Sequence, residues 1–369
     1  MIVALFPELL ATGGIQRAGR HVAAVLAEYA EQRRMPCRVL SLNDPARVYC
    51  NVLGRREFAF RGFNRAKDHF VSAALRLALS QPSLVVAAHP NLAPLVWTMK
   101  MISPGVRTVI FTHGIEVWTA LAAWRRWALR RADLVLGPSS DTARRVIAVQ
   151  GVPEPRVRCL PWGLDPEFAS AASATNDETR GLPADDRVVL TVGRQVASDR
   201  YKGADVLIQA VSRLMPSVPN LSLVVIGDGA DRPRLERMAQ ALGVGGRVHF
   251  WGNVPSDTLA SAYRRCDVFA MPSAGEGFGL VFLEAMAFGK PVIGGAHGGT
   301  PDVVEDGVTG YLVRHGDLDS LTHALERLLT DDGLRKEMGR RAQEQVRSTF
   351  LFEHFERRLT DILEQACAV

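Results

Sequence analysis

Short apolar runs bounded by turn residues alternate with amphipathic helical stretches along almost the whole chain, and this rhythm limits the fold more than any other feature. The runs 2–6, 38–42, 84–88, 107–112, 134–137 and 157–160 read as buried strands. Continuously apolar strands separated by helices are the pattern of a parallel, doubly wound sheet covered on both faces. The series starts afresh at 187–192, 221–226, 248–250, 268–271 and 291–293. Two Rossmann-like domains are expected, in keeping with 369 residues being too many for one ordinary core. Between them, 169–186 is rich in Ala, Ser, Thr and Asp without periodicity and reads as a linker. The tail 350–368 is helical in pattern, with Phe352, Phe355, Leu359, Ile362 and Leu363 on one face.

In the second domain, the stretch 272–290 opens as a turn with Gly275, Gly277 and Gly279 at alternate positions and runs into an apolar helix over 280–288. Such a turn lets backbone N–H groups approach an anion at a helix N-terminus. Glu284 is the one charged residue of that helix, and Glu276 stands at the mouth of the turn. A buried carboxylate needs hydrogen-bond donors or a cation. Two readings fit: Glu276 complements the helix dipole while Glu284 makes a structural hydrogen bond, or the pair flanks a phosphate with neighbouring hydroxyls. The second is preferred.

Glu276 and Glu284 with seven residues between them are followed by Gly298-Gly299-Thr300-Pro301-Asp302 and Asp306-Gly307-Val308-Thr309-Gly310. In order and spacing this resembles the donor half of the retaining glycosyltransferases of family 4, which have the GT-B fold; Asp302 stands where that family more often has Glu. The resemblance implies two Rossmann-like domains facing across a cleft, with the last helix crossing back to the first domain. The expected organisation is then an acceptor-binding domain over 1–168, a linker over 169–186, a nucleotide-sugar-binding domain over 187–347, and a C-terminal helix over 348–369 on the first domain.

Ligands of doubly wound sheets sit beyond the carboxyl ends of the strands, so residues just after strands carry the most information. Gly13 and Gly14 follow the first strand; they suit either an ordinary helix start or close approach of a phosphate, and the resemblance favours the donor site. His89 and His113 each end a strand. His113 resembles the family position that meets the transferred sugar and is preferred, with His89 as runner-up. A diphosphate facing two carboxylates requires cations, and Arg194 and Lys202, after the first strand of the second domain, supply them. They resemble the family's Arg and Lys pair, although the loop between them is longer here. The resemblance implies that Glu276 holds sugar hydroxyls, that Glu284 holds the ribose hydroxyls, and that 248–253 meets the nucleobase. The amides of Gly277, Phe278, Gly279 and Leu280 are expected to stabilise the leaving diphosphate. The catalytic set is therefore Glu276, His113, Arg194 and Lys202. Asp317 and Asp319 mimic an acidic metal-binding pair but precede a helix, where Asp317 reads as an N-cap; no metal and no other cofactor are expected.

The net charge of +5 hides an asymmetry: residues 1–165 hold 22 Lys and Arg against 11 Asp and Glu, whereas the remainder holds 22 against 28. A basic half suggests a polyanionic partner. No nucleic-acid motif accompanies it, so a membrane or lipid-linked acceptor is favoured. Arg55, Arg56, Arg61, Arg65 and Lys67 interleave with Phe58, Phe60, Phe63 and Phe70, which suits either peripheral contact of 55–70 with an anionic membrane or a solvated basic helix with inward phenylalanines. A second candidate, 121–131 with Trp124 and Trp127, has Arg125 inside its apolar arc, and core packing explains it equally well. No apolar run approaches the roughly 18 residues of a membrane span. The stretch 1–10 reads as a first strand, and the five scattered cysteines fit a reduced, cytoplasmic setting, with peripheral association at the inner membrane face.

The expected activity is metal-independent, retaining transfer of a hexose from a UDP- or GDP-sugar to a lipid-linked or oligosaccharide acceptor in cell-surface glycan assembly. Two alternatives keep the same architecture: nucleotide-sugar epimerisation or phosphorolysis, and a non-catalytic nucleotide-sugar-binding partner of a glycan assembly complex.

Overall fold

The computed structural model describes residues 1–172 and 182–367, which fall into two compact units, Met1–Pro166 with the chain from Phe352 onward, and Glu167–Leu351. Each is an α/β unit built on a largely parallel sheet.

The first unit contains β1 (Ile2–Phe6), α1 (Gly14–Gln32), β2 (Cys37–Ser41), β3 (Val48–Leu53), β4 (Arg56–Gly62), α2 (Lys67–Leu79), β5 (Leu84–Ala87), α3 (Ala93–Ile102), β6 (Arg107–Phe111), α4 (Ala123–Leu129), β7 (Leu134–Gly137), α5 (Ser140–Ala148) and β8 (Val157–Cys159). Its sheet order is β3-β4-β2-β1-β5-β6-β7-β8, and only the β3–β4 pair is antiparallel. The central strands β1 and β5 are buried along their whole length, as their unbroken apolar sequence requires. Right-handed crossovers then put α2, α3, α4 and α5 on one face of the sheet and α1 on the other.

Residues 55–70 correct the helical expectation. Gly54, at φ +61°, and Arg55 form a two-residue hairpin turn between β3 and β4. Along β4, Phe58 and Phe60 point inward while Glu57, Ala59 and Arg61 remain at the surface. Phe63 and Phe70, packed edge to face at 5.4 Å, are buried as well. The alternation is thus the period of two of a half-buried strand, and none of the four rings is available to a membrane.

The second unit contains α6 (Pro166–Ala172), β9 (Arg187–Val192), α7 (Ala204–Leu214), β10 (Leu221–Ile226), α8 (Arg232–Ala241), β11 (Val248–Gly252), α9 (Ser256–Arg265), β12 (Val268–Met271), α10 (Leu280–Ala287), β13 (Val292–Gly295), β14 (Gly310–Val313), α11 (Leu318–Thr330) and α12 (Asp332–Gln345). The six strands are all parallel, in the order β11-β10-β9-β12-β13-β14. This is the doubly wound order, with the direction of winding reversing between β9 and β12. The half-buried strand β14 was not expected from sequence. Most of the expected linker, residues 173–181, lies outside the described residues; 169–172 belong to α6, and 182–186 lead into β9.

After α12 the chain makes a wide turn over Val346–Phe350 and continues as α13 (Phe352–Cys367), which packs against α1 in the first unit. Phe352, Phe355, Leu359 and Leu363 are buried there. Arg56 pairs with Glu356 and Arg33 with Glu364, tying the ends of that helix to β4 and α1. Among the described residues, no helix is long and apolar enough to cross a membrane.

Candidate active site

In the second unit, the loops leaving β9 and β12 emerge side by side at the point where the winding reverses. After β9 come Gly193 and Arg194, then a 3₁₀ turn over Ala197–Lys202 and Gly203 in the left-handed region at φ +80°. That turn accommodates the longer loop. It brings Arg194 and Lys202 to one partner, the buried carboxylate of Asp199, at 3.0 and 3.7 Å. The Lys202 side chain also lies beside Gly193, where a Cβ would stand 3.2 Å from its Cδ. Arg194 is 75% exposed, so its guanidinium is free to turn to a ligand.

After β12 come Pro272, Ser273 and the glycine turn. The Ala274 N–H donates to the Tyr201 carbonyl at 2.7 Å, locking the two loops together. A Cβ on Gly203 would stand 2.9 Å from the Pro272 carbonyl oxygen, so the loops meet only because that residue is glycine. Glu276 forms a bridge with Gly298, and the Gly299 N–H donates to the Glu276 carbonyl at 2.6 Å. Gly279, at φ +95°, starts α10 and leaves the first amides of the helix facing the turn.

The electrostatics of this corner are unusual. Burial raises the Glu276 carboxyl to about 7; Lys202 works against that shift and Asp199 adds to it. The Tyr201 hydroxyl is pushed up by its own burial and by the neighbouring charge of Glu276. Glu276 Oε1, Ser273 Oγ and Thr300 Oγ1 are all buried and have no hydrogen-bond partner among the described residues. Buried polar atoms are normally satisfied. Ser273 and Thr300 both approach the end of β13, where a Cβ on Gly295 would touch the Ser273 carbonyl oxygen at 1.8 Å and one on Gly294 the Thr300 methyl at 2.5 Å. The unsatisfied Glu276 oxygen in the glycine turn suits a ligand that brings a hydroxyl donor.

Glu284 lies in the second turn of α10, 2% exposed, and accepts a hydrogen bond from the Tyr263 hydroxyl at 2.7 Å. Its carboxylate therefore has the structural partner that the plainer of the two sequence readings required. Nearby, Gly227 and Gly229 follow β10 and press on the β9 exit, a Cβ on Gly227 falling 2.0 Å from the Gly193 carbonyl oxygen. Beside them Asp231 joins Arg234 and Arg200, which hold its carboxyl well below the usual carboxylate range. The segment 248–253 forms β11 at the sheet edge. Asp317 caps α11, accepting from the Ser320 N–H at 3.0 Å, and Asp319 pairs with Arg213.

In the first unit the corresponding reversal falls between β1 and β5. Asp44 steers the β1 exit by accepting from the Leu9 N–H at 2.8 Å and the Ser41 hydroxyl at 2.6 Å. Gly13, at φ +149°, caps α1, and Gly14 is its first residue. His89 follows β5, and His113 follows β6. Their rings stack at 5.9 Å. His113 Nε2 lies 2.7 Å from the Ala88 carbonyl oxygen, which can only accept, so this nitrogen carries the proton. The His113 N–H donates to Glu116 at 2.5 Å. His89 is lowered to about 4, chiefly by burial and then by His113, and its Nδ1 accepts from the Asn91 N–H. Trp162 lies flat against His113 at 5.6 Å and against Phe111 at 5.8 Å.

Sequence reasoning did not single out Tyr201, Tyr263, Asp199, Ser273 or Trp162 as members of these sites. Tyr201 sits in the loop between Arg194 and Lys202 and Ser273 in the stretch 272–290, so both carried a signal of position; Tyr263 and Trp162 reach their partners only through the fold.

Comparison with known proteins places these features in context. The model of the family described as Glycosyl transferases group 1 matches residues 173–345, and that of Glycosyltransferase Family 4 matches 18–168. A GDP-mannose-dependent alpha-(1-6)-phosphatidylinositol monomannoside mannosyltransferase of Mycolicibacterium smegmatis is 39% identical over 63% of this chain and 63% of its own length. The enzyme of that name in Mycobacterium tuberculosis is 33% identical over 70% of this chain and 69% of its own. A D-inositol 3-phosphate glycosyltransferase of Corynebacterium kroppenstedtii is 36% identical over 56% of this chain and 47% of its own. The match thus spans less than two thirds of the first and third of these relatives. Among solved structures, sucrose-phosphate synthase from Thermosynechococcus elongatus superimposes with a TM-score of 0.80 at 23% identity, covering 100% of this chain and 99% of that one. Anabaena HepE in complex with UDP gives 0.76 at 20% identity over 99% of both chains. At such identities the two structures show a shared fold.

Proposed function

The chain belongs to the group 1 glycosyltransferases of family 4, with their two-domain GT-B fold, and from that premise we propose that it moves a hexose from a UDP- or GDP-sugar to a lipid-linked or oligosaccharide acceptor with retention at the anomeric carbon. The observation that carries the reading is the buried, unpartnered Glu276 oxygen in the glycine turn after β12, next to the point where the sheet reverses its winding. A sugar hydroxyl would satisfy that oxygen.

The roles follow from charge and position. Glu276 accepts hydrogen bonds from the sugar as a carboxylate, which asks it to lose the proton that burial retains up to about pH 7. Arg194 and Lys202 leave Asp199 in part to hold the diphosphate, and the first amides of α10, from Gly277 to Leu280, stabilise the charge that grows on it. The bond between the anomeric carbon and the phosphate oxygen breaks as the bond to the acceptor oxygen forms on the same face. The acceptor's proton passes to the departing phosphate. His113, with its protonated Nε2 held by Ala88, presents Nδ1 as an acceptor toward a sugar hydroxyl. In this reading Gly13 and Gly14 give the backbone close approach to the donor, and Glu284 serves the ribose from beneath, oriented by Tyr263. Donor binding needs no metal ion.

The printed names of the mycobacterial relatives, which depend on GDP-mannose, make guanine the first base to test. Thermal denaturation with UDP, GDP and ADP, each with and without EDTA, should show stabilisation by one diphosphate that survives chelation. Glu276→Ala should then lose transfer without a fall in melting temperature; full activity in that variant would refute the assignment.

A further inference from the structure

Of the eleven large apolar side chains that stand exposed among the described residues, ten belong to the first unit, and five of those lie on α2, α3 and α4: Val71, Leu79, Met101, Trp124 and Trp127. These helices form one layer on one face of the sheet, with α3 packed between its neighbours. Their inner sides, including Phe70, Val96 and Leu129, fill the core. Their outer sides therefore face one way, and water should select polar residues there. Instead, Val71, Leu75 and Leu79 recur every four residues along α2 and, with Ile102, line a groove of about 440 Å³. Trp97 carries the apolar surface across to α4 by packing edge to face on Trp127 at 4.6 Å. Met101 is 62% exposed and Trp124 56%.

The charge around this surface is mostly positive. Arg76 lines the groove on one side of α2 and, on the other, a cavity of about 530 Å³ shared with Arg38 and Arg61. None of these three arginines makes an ion pair among the described residues. On α4 the guanidinium of Arg125 lies over the ring of Trp124 at 5.0 Å, and just after the helix that of Arg131 lies over the ring of Trp127 at 3.7 Å. Asp68 is the one acid lining the groove.

We propose that the outer face of α2, α3 and α4 docks on an anionic lipid bilayer, with Trp124, Trp127, Met101 and Leu79 entering the interface and Arg38, Arg61, Arg76 and Arg131 meeting lipid phosphates. Indole rings prefer the boundary between headgroups and acyl chains, and arginines are drawn to anionic headgroups. A second copy of the chain fits this face poorly. A two-fold contact would set this cluster of arginines against its own image, and like charges across an interface repel. The surface is independent of the donor site, so the proposal stands or falls apart from the reaction assigned above. It keeps Arg61 of the stretch 55–70 but replaces that stretch's phenylalanines, which are buried, as the apolar membrane-facing group.

The test is co-sedimentation of the full chain with phosphatidylcholine vesicles, with and without phosphatidylglycerol, at low and high salt. The expected result is binding to the anionic vesicles that weakens with salt, together with quenching of tryptophan fluorescence by lipids brominated near the headgroup. Joint replacement Trp124→Ser and Trp127→Ser should weaken binding by roughly tenfold or more, and joint Arg38→Glu, Arg61→Glu and Arg76→Glu should abolish the preference for anionic lipid. Leu242→Ser, at an exposed site on the second unit, should change neither. Absence of binding at low salt, equal binding to neutral vesicles, or equal loss with Leu242→Ser would each overturn the proposal. So would a concentration-dependent dimer that the tryptophan replacements dissolve. The quenching measurement uses the unaltered protein, so it decides the matter even if a variant folds poorly.

Discussion

Glu276 pays for its position in a way that pH reveals. In the unfolded chain a glutamate titrates near 4.5, whereas in the fold Glu276 does so near 7. Between those values the folded chain keeps a proton that the unfolded chain has released, so stability falls as pH rises through this window. Above pH 7 the full cost, about 3 kcal/mol, is present. Glu276→Gln has no such proton to lose. Its melting temperature should match the parent's below pH 4.5 and exceed it increasingly up to pH 7; parallel melting curves at all pH values would show that the carboxyl is not buried as described. The cations nearby obey a different constraint. Asp199 is held by both Arg194 and Lys202, so removing one leaves the other to neutralise it, and stability should hardly change. Lys202→Met should therefore reduce kcat by about 10²–10³-fold, the scale of losing one group that stabilises developing charge, at an unchanged melting temperature. A drop in melting temperature that accounts for the lost activity would reassign Lys202 to structure.

Single elements explain what the sequence could and could not disclose. The central strands were legible because a strand covered on both faces is apolar without interruption, and β1, β7, β9, β10 and β12 fall at the expected residues. The edge hairpin β3–β4 was hidden, because its period of two, with Arg and Glu between phenylalanines, lacks that uninterrupted run. Its signal was the Gly54-Arg55 turn. Within the site, the glycine spacing was legible because backbone shape is encoded locally. The convergence of Tyr201, Ser273 and Thr300 was not, since it depends on contacts between segments some seventy to a hundred residues apart. The outer side of α4 was misleading for a related reason: Arg125 interrupts its apolar arc in projection, yet in the fold its guanidinium lies over Trp124. The start of α10 makes its own prediction. A methyl group on Gly279 would meet the Phe282 ring at 2.5 Å, at a backbone angle of φ +95° that other residues rarely adopt. Gly279→Ala should cost on the order of 1–3 kcal/mol and weaken nucleoside-diphosphate binding in calorimetry; an unchanged Kd would mean that the turn does not shape the donor site.

At the scale of the molecule, the notable fact is where α13 resides. Its buried face, with Phe355 between His21 at 6.0 Å and Trp162 at 5.4 Å, completes the core of the first unit. Phe355→Ala should destabilise by roughly 3–5 kcal/mol. Hydrogen exchange should speed up in α1 and β1 while β9, β10 and α10 keep their protection, although Phe355 follows all of these in sequence. Uniform loss of protection in both units would show that they unfold as one. The same connectivity has a consequence during synthesis. A ribosome delivers the second unit as one uninterrupted segment, able to fold as soon as residue 351 has cleared the exit tunnel. The first unit, although its first 166 residues emerge earlier, must wait with one side of α1 uncovered until the last helix arrives, so the portion made first is the portion finished last.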